Sequence, residues 1–136
     1  EETPNGTILE GMHFLCAEDN ELNAEILTEL LKMKGAECTI CENGQKVVET
    51  FEQSVPGAYD MILMDVQMPV MNGYDAARAI RRSLHKQAGT IPIIAMTANA
   101  FEEDAKRCLA AGMTAHLAKP FQIEDVEKTI VECCGK

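Results

Sequence analysis

The sequence predicts an α/β fold, with a doubly wound parallel sheet and helices on both of its faces. Five short apolar segments alternate with longer segments of helical periodicity along the 136 residues. The strand-like segments are continuous apolar runs, as in residues 61–64 and 91–96, which is typical of strands buried on both faces. Polar side chains follow several of these runs, where such folds bind their ligands.

Strands are predicted at about residues 12–17, 36–41, 60–65, 91–96 and 114–118. The first helix is predicted over about 21–34 and ends at Gly35. Its proposed inner face carries five apolar residues, Leu22, Ile26, Leu27, Leu30 and Leu31. The second helix, about 44–54, buries Val47, Val48 and Phe51.

The third helix follows Gly73 and is predicted to turn Tyr74, Ala77 and Ile80 inward. Its arginines are expected in solvent, at Arg78, Arg81 and Arg82. A fourth helix is predicted over about 101–111, before Gly112. The inner face of the fifth is predicted to comprise Ile123, Val126, Ile130 and Val131.

Length, composition and net charge limit the classes of protein to which the chain can belong. A chain of this length forms one domain, which we place at residues 12–136, after a linker from a preceding region at 1–11. No apolar run approaches the ~18 residues of a membrane helix, so we expect no direct membrane contact. The net charge of −10 would repel phosphate backbones, and nucleic acid is therefore not an expected partner.

Six cysteines without a secretory signal favour the reducing cytoplasm over a disulfide framework. Cys38 and Cys41 have CxxC spacing, but no second pair accompanies them. Residues three apart in a strand also face opposite sides. A zinc or redox role for this motif is therefore not expected.

Three carboxylates are the most informative feature. Glu18 and Asp19 follow the first strand, and Asp65 ends the third. Such charges a few ångströms apart repel by roughly 1 kcal/mol in water and about 4 kcal/mol at an intermediate effective dielectric. A divalent cation would relieve this repulsion.

The ordered motifs resemble those of response-regulator receiver domains, the phosphoacceptors of two-component signalling, over about residues 12–134. They are Glu18-Asp19-Asn20, Asp65, Met68-Pro69 with Gly73, Thr97-Ala98 and Lys119-Pro120. The resemblance implies a flavodoxin-like (βα)5 fold, in which the five parallel strands have the order 2-1-3-4-5.

The resemblance also implies the site's chemistry. Asp65 would accept a phosphoryl group from phosphohistidine, while Thr97 and Lys119 would stabilise the phosphoryl oxygens. Mg²⁺ would be held by Glu18, Asp19 and Asp65, with the backbone carbonyl of Gln67. The set of implied metal residues is thus Glu18, Asp19, Asp65 and Gln67.

In this family two residues act as a conformational switch after phosphorylation, and here they would be Thr97 and His116. Their movement would reshape the face formed by helix 4, strand 5 and helix 5. Gln67 and Asn99 would influence the lifetime of the phosphoryl group. Many receivers have Asp in place of Glu18, and Tyr or Phe in place of His116. A pH-sensitive switch is accordingly a hypothesis.

The motif segments further resemble receivers fused to hybrid sensor histidine kinases. The expected partner is a histidine kinase or a histidine phosphotransfer domain, and the domain would be a monomer or weak dimer. It would be cytoplasmic, alone or tethered to a membrane-bound parent. The isolated domain would not be an enzyme beyond its own phosphorylation and dephosphorylation, whereas the parent would be a protein-histidine kinase.

Other functions fit the residues less well. A dehalogenase-type phosphatase needs a second acid two residues after Asp65, where Gln67 stands. Flavin binding needs a phosphate-binding loop after the first strand, where Glu18 and Asp19 would repel phosphate. An inactive pseudo-receiver that serves only for docking stays open as the alternative.

Overall fold

The computed structural model describes residues 9–66, 70–97, 102–118 and 123–134. The strands are β1 His13–Ala17, β2 Glu37–Cys41, β3 Met61–Asp65, β4 Ile93–Thr97 and β5 Ala115–Ala118. The helices are α1 Glu21–Met33, α2 Gly44–Gln53, α3 Gly73–Arg82, α4 Glu102–Ala110 and α5 Ile123–Cys134. The strands, α1, α2 and α4 lie within about two residues of their predicted ranges, and α3 begins at Gly73 itself. Among the described residues, no helix is long and apolar enough to cross a membrane.

The strands form one parallel sheet in the order β2-β1-β3-β4-β5, which confirms the predicted topology. Its order reverses between β1 and β3, whose register pairs Ala17 with Met64. The residues that follow this pair on the two strands, Glu18 and Asp65, therefore emerge side by side. This reversal is where an open α/β sheet leaves a crevice at its carboxyl edge.

Two apolar layers cover the two faces of the sheet. One contains Leu15, Ile62 and Met64 packed with Phe51 of α2 and Ile80 of α3. The other is formed by the alternate strand residues, including Phe14 and Leu63, with buried side chains from α1 and α5. Because both faces are covered, the central strands are apolar at nearly every position.

The amino end of the described chain belongs to the second layer. Leu9 is fully buried there, and the Gly11 N–H donates to the Gly35 carbonyl at 2.9 Å. The packed domain thus extends to residue 9, three residues before the boundary at 12. A linker remains a prediction for the residues before it, which lie outside the described ranges.

Asparagine residues begin three of the helices. The side chains of Asn20, Asn43 and Asn72 each accept a hydrogen bond of 2.9 Å from a backbone N–H three residues later. Such N-caps satisfy donors that the first turn of a helix leaves unpaired. α1 ends at Met33, and Gly35 follows its C-cap Lys34 with a φ of +83°, which suits a residue without a Cβ.

The predicted inner face of α1 was partly wrong. Leu27 and Leu31 are buried, but Leu22 is 64% exposed and Ile26 is 50% exposed. At 100° per residue, Leu22 and Ile26 point well away from the stripe that meets the sheet. On α5, Val131 is likewise 39% exposed, whereas Ile123, Val126 and Ile130 are buried as predicted.

Arg81 also departs from expectation, because it is half-buried and bonded within the protein. Its guanidinium donates to the carbonyls of Gly112 at 2.8 Å and Ala88 at 3.0 Å. Burial lowers the pKa of this side chain. Arg81 therefore fastens α3 to the loops at the amino ends of β4 and β5, while Arg78 and Arg82 are exposed as predicted.

Substitution of Gly73 by Ala should destabilise the fold. A Cβ at this position would lie 2.5 Å from the Asp65 carbonyl oxygen and 2.9 Å from the Val66 Cα. Since backbone atoms cannot move aside cheaply, we expect a loss of about 2 kcal/mol and a melting temperature lower by roughly 5–10 °C. Gly89→Ala is the matched control because its Cβ would meet no atom within 4 Å. Equal melting temperatures for the two variants would contradict this packing.

Candidate functional site

Glu18, Asp19 and Asp65 meet at the carboxyl edge of the sheet. Each offers a carboxylate oxygen, and these oxygens lie within 4.8 Å of one another. Glu18 is only 5% exposed and Asp65 only 6%, whereas Asp19 is exposed. Two of the carboxylates are thus buried in the protein, and the third, that of Asp19, is exposed to solvent.

Hydrogen bonds of the backbone around Glu18 fix the position and orientation of its side chain. The Glu18 N–H donates to the Cys41 carbonyl at 3.0 Å, which extends the pairing of β1 with β2 past the end of the strand. A Glu18 carboxylate oxygen then accepts a 3.2 Å hydrogen bond from the Asn20 N–H. Since Asn20 also caps α1, the start of this helix and the orientation of Glu18 are set together.

Gly73 places the start of α3 against the end of β3, beside Asp65. Its N–H donates to the Val66 carbonyl at 2.8 Å, and the Val66 N–H donates to Met96 of β4 at 3.1 Å. The first residue of α3 thereby comes into close contact with the end of β3. The preceding loop contains a strained residue, Val70, whose φ of +68° is unusual for a β-branched side chain.

The donor set matches the preferences of a hard divalent cation. Such ions favour carboxylate oxygens, and Mg²⁺ usually retains several waters besides one or two carboxylates. The exposed side of the group, at Asp19, leaves room for those waters. A cation would also offset the mutual repulsion of three neighbouring negative charges.

Thr97 and His116 lie on the same side of the sheet. Thr97 ends β4 and is 7% exposed, while His116 is half-buried in the neighbouring strand β5. The register pairs Thr97 with Ala118 and Ala95 with His116, so Thr97 and His116 are diagonal neighbours. β4 also pairs with β3, which places Thr97 one strand away from Asp65.

Other residues named from the sequence lie outside the described ranges. They are Gln67, Met68, Pro69, Ala98, Asn99, Lys119 and Pro120. For two residues of these motifs the structure supplies a role that the sequence did not: the Asn20 N–H donates to Glu18, and Gly73 contacts the backbone of Asp65. An Asn that directly precedes a predicted helix and follows an acid by two residues is a signal that could have indicated the role of Asn20.

Comparison with known families identifies the class of protein. The model of the response regulator receiver domain matches residues 14–131. The chain therefore belongs to this family, whose members are the receivers of phosphorelay signalling.

Individual relatives are consistent with that membership. The probable histidine kinase 2 of Oryza sativa subsp. indica is 35% identical over 137 residues, which cover 93% of this chain and 13% of the relative. This chain thus spans a small part of that kinase. Its relatives include receivers of hybrid histidine kinases.

Solved receiver domains have the same fold. One, from a sensor histidine kinase of Pseudomonas aeruginosa PAO1 with magnesium coordinated in its active-site cleft, is 36% identical with a TM-score of 0.80, covering 93% of this chain and 99% of that one. Another, from the Saccharomyces cerevisiae response regulator Ssk1 in complex with the histidine phosphotransfer protein Ypd1, is 29% identical with a TM-score of 0.81, covering 93% and 91%.

Asp19→Asn should stabilise the protein in buffer without divalent cations. The exposed charge of Asp19 adds repulsion to Glu18 and Asp65, and its removal should raise the free energy of unfolding by up to about 1 kcal/mol. Urea unfolding in EDTA measures the difference. Glu37→Gln, which removes an exposed charge at the amino end of β2, is the control and should change stability much less. A destabilised Asp19→Asn variant would show that repulsion does not dominate at this site.

Proposed function

We propose that this chain is an active phosphoacceptor in a phosphorelay, with Asp65 as the residue that receives the phosphoryl group. The observation that carries the proposal is the juxtaposition of Asp65 with Glu18 and Asp19 at the sheet's carboxyl edge. Membership of the receiver family supports it. The parent protein is proposed to be a hybrid histidine kinase, and the immediate donor a phosphohistidine.

Glu18, Asp19 and Asp65 would hold Mg²⁺, with the Gln67 carbonyl as a further ligand from outside the described residues. The magnesium complex of the related Pseudomonas receiver supports this assignment. When bound, the ion would neutralise carboxylate and phosphoryl charge. Glu18 has the longer side chain of the acidic pair and is anchored by Asn20, which suits contact through a metal-bound water.

In the transfer itself, a carboxylate oxygen of Asp65 attacks phosphorus. The new O–P bond forms as the P–N bond to the donor imidazole breaks, and the imidazole leaves with the bonding electron pair. Thr97 and Lys119 would donate hydrogen bonds to the phosphoryl oxygens, on which the charge of the loose transition state is spread. Gln67 and Asn99 would affect how water later reaches the acyl phosphate.

The output is proposed to involve Thr97 and His116. Movement of the Thr97 hydroxyl toward a phosphoryl oxygen would vacate space on the side of the sheet that the half-buried His116 shares. An inward rotation of His116 would then change the surface of α4, β5 and α5. The difference between the two states lies in one added hydrogen bond to the phosphoryl group, which supplies the differential contact that a switch requires.

A histidine phosphotransfer domain is the proposed partner, and it would dock on the exposed apolar side of α1. Leu22 and Ile26 lie one turn apart on this helix, which begins two residues after Asp19. A partner that contacts them brings its phosphohistidine to the carboxylates. The complex formed by the related Ssk1 receiver with Ypd1 supports this kind of partner.

Asp65→Asn should abolish phosphorylation. An amide is a far weaker nucleophile than a carboxylate, so incubation with acetyl phosphate and Mg²⁺ should add one phosphoryl group to the wild-type chain and none to the variant. Intact-protein mass spectrometry with peptide mapping measures the product. Asp75→Asn, which alters an exposed carboxylate on α3, is the control and should be labelled normally.

Two results of this labelling experiment would contradict the proposal, one in favour of a pseudo-receiver and the other in favour of a different phosphoacceptor residue. If the wild-type chain stays unlabelled while millimolar Mg²⁺ raises its melting temperature by a few degrees, the site binds metal but the chain is a pseudo-receiver. If Asp65→Asn retains full labelling, the phosphoacceptor is a different residue.

Leu22→Ser with Ile26→Ser should weaken phosphotransfer from a histidine phosphotransfer protein, but not labelling by acetyl phosphate. Loss of two apolar contacts at an interface should reduce the rate from the protein donor roughly tenfold or more. Leu84→Ser is the control, because Leu84 is fully exposed after α3. An unchanged rate from the protein donor would place the docking surface elsewhere.

A further inference from the structure

Asn20 connects the three carboxylates of the site to the start of α1. Its backbone N–H donates to a Glu18 carboxylate oxygen at 3.2 Å, and its side-chain oxygen accepts from the Asn23 N–H at 2.9 Å. The Asn20 carbonyl also accepts from the Ala24 N–H at 2.9 Å. One residue is thus bonded both to a carboxylate of the site and to the first turn of the helix.

The chain between the site and the helix is short. Asp19 directly precedes Asn20, and α1 begins at Glu21. The backbone of Glu18 is itself fixed to β2, since its N–H donates to the Cys41 carbonyl at 3.0 Å. Because Asn20 is bonded on both sides, we expect that opening of the first turn of α1 moves its backbone and the carboxylates next to it.

We propose that metal binding at the site orders the amino end of α1 through Asn20, which acts as a positioning residue. This inference rests on the proposed function, because it takes Glu18, Asp19 and Asp65 as the magnesium ligands. Such an ion would tie the segment before Asn20 to the end of β3, so that the first turn of α1 opens less often. Leu22 lies in this turn, and the proposed docking surface would therefore be better ordered when the site holds its ion.

Two effects of the ion oppose each other, and their sizes decide the direction. The carboxylates before α1 favour its positive amino end, and an ion that weakens this interaction would increase opening by roughly two- to fivefold. An ion that binds only the closed form decreases opening by one plus the ratio of its concentration to its Kd, which is about twentyfold at roughly twenty times Kd. The second effect is larger, so a net decrease in opening of about fourfold or more is expected.

The second helix provides a matched comparison. Asn43 caps α2 as Asn20 caps α1, with a 2.9 Å bond from the Lys46 N–H to its side chain and a 3.2 Å bond from the Val47 N–H to its carbonyl. Within the part of the chain that the structure describes, Asn43 bonds to no carboxylate of the site. Metal binding should therefore slow opening at the start of α1 and not at the start of α2.

Hydrogen exchange of the backbone amides, followed by NMR, tests this coupling in the wild-type chain. With Mg²⁺ at roughly twenty times its Kd, exchange at Asn23 and Ala24 should slow by about fourfold or more relative to metal-free buffer of equal ionic strength. Exchange at Lys46 and Val47 should change by less than about twofold. The melting temperature of the same samples reports whether the ion is bound.

Substitutions of the two caps separate a positioning role from a purely structural one. In Asn20→Ala the first turn can fray without moving Glu18 or Asp19, so exchange at Asn23 should be faster and should no longer slow with Mg²⁺. Asn20→Ser keeps a capping oxygen and should restore the response to the ion. Asn43→Ala removes the equivalent cap of α2 and should leave the response of α1 unchanged. In all three variants Mg²⁺ should still raise the melting temperature.

Three results would overturn the inference. If Mg²⁺ raises the melting temperature but exchange at Asn23 and Ala24 slows no more than at Lys46 and Val47, the site binds metal without ordering α1, and the proposed function stands. If Asn20→Ala keeps the full response to Mg²⁺, the coupling does not pass through the cap. If Mg²⁺ leaves the melting temperature of the wild-type chain unchanged, the magnesium assignment of the proposed function fails together with this inference.

Discussion

Repulsion among three carboxylates is the constraint on which the functional edge of this protein depends. Pairing of Ala17 with Met64 brings the ends of β1 and β3 together, and with them Glu18, Asp19 and Asp65. At such separations each like-charge pair costs roughly 1 kcal/mol in water and more in a partly buried site. The sheet holds these charges in place through its apolar layers, and a site so arranged gains stability when a cation binds.

Much of the scaffold serves to keep that edge rigid. Asn20 caps α1 and donates to Glu18, so that one residue both starts a helix and orients a carboxylate. Gly73 lets α3 begin in contact with the backbone of Asp65, where any side chain would collide. Farther away, Arg81 ties α3 to the loops that enter β4 and β5. Each of these contacts restricts an element that borders the site.

The helix α1 contributes two different surfaces. Leu27 and Leu31 pack against the sheet, whereas Leu22 and Ile26 face solvent near the carboxylates. A helix that rotates by 100° per residue can hold these roles in fewer than four turns. A core contact and a proposed partner contact are thereby served by one element.

The sequence by itself determined the five strands, the five helices and the placement of the carboxylates at strand ends, because continuous apolar runs and helical spacing are local signals. It did not determine which apolar residues of α1 are exposed, or that Arg81 is bonded rather than solvated. These depend on how helices rotate against the sheet and on the register between strands far apart in sequence. Only the tertiary structure decides such contacts, since each residue's neighbours there come from other elements of the chain.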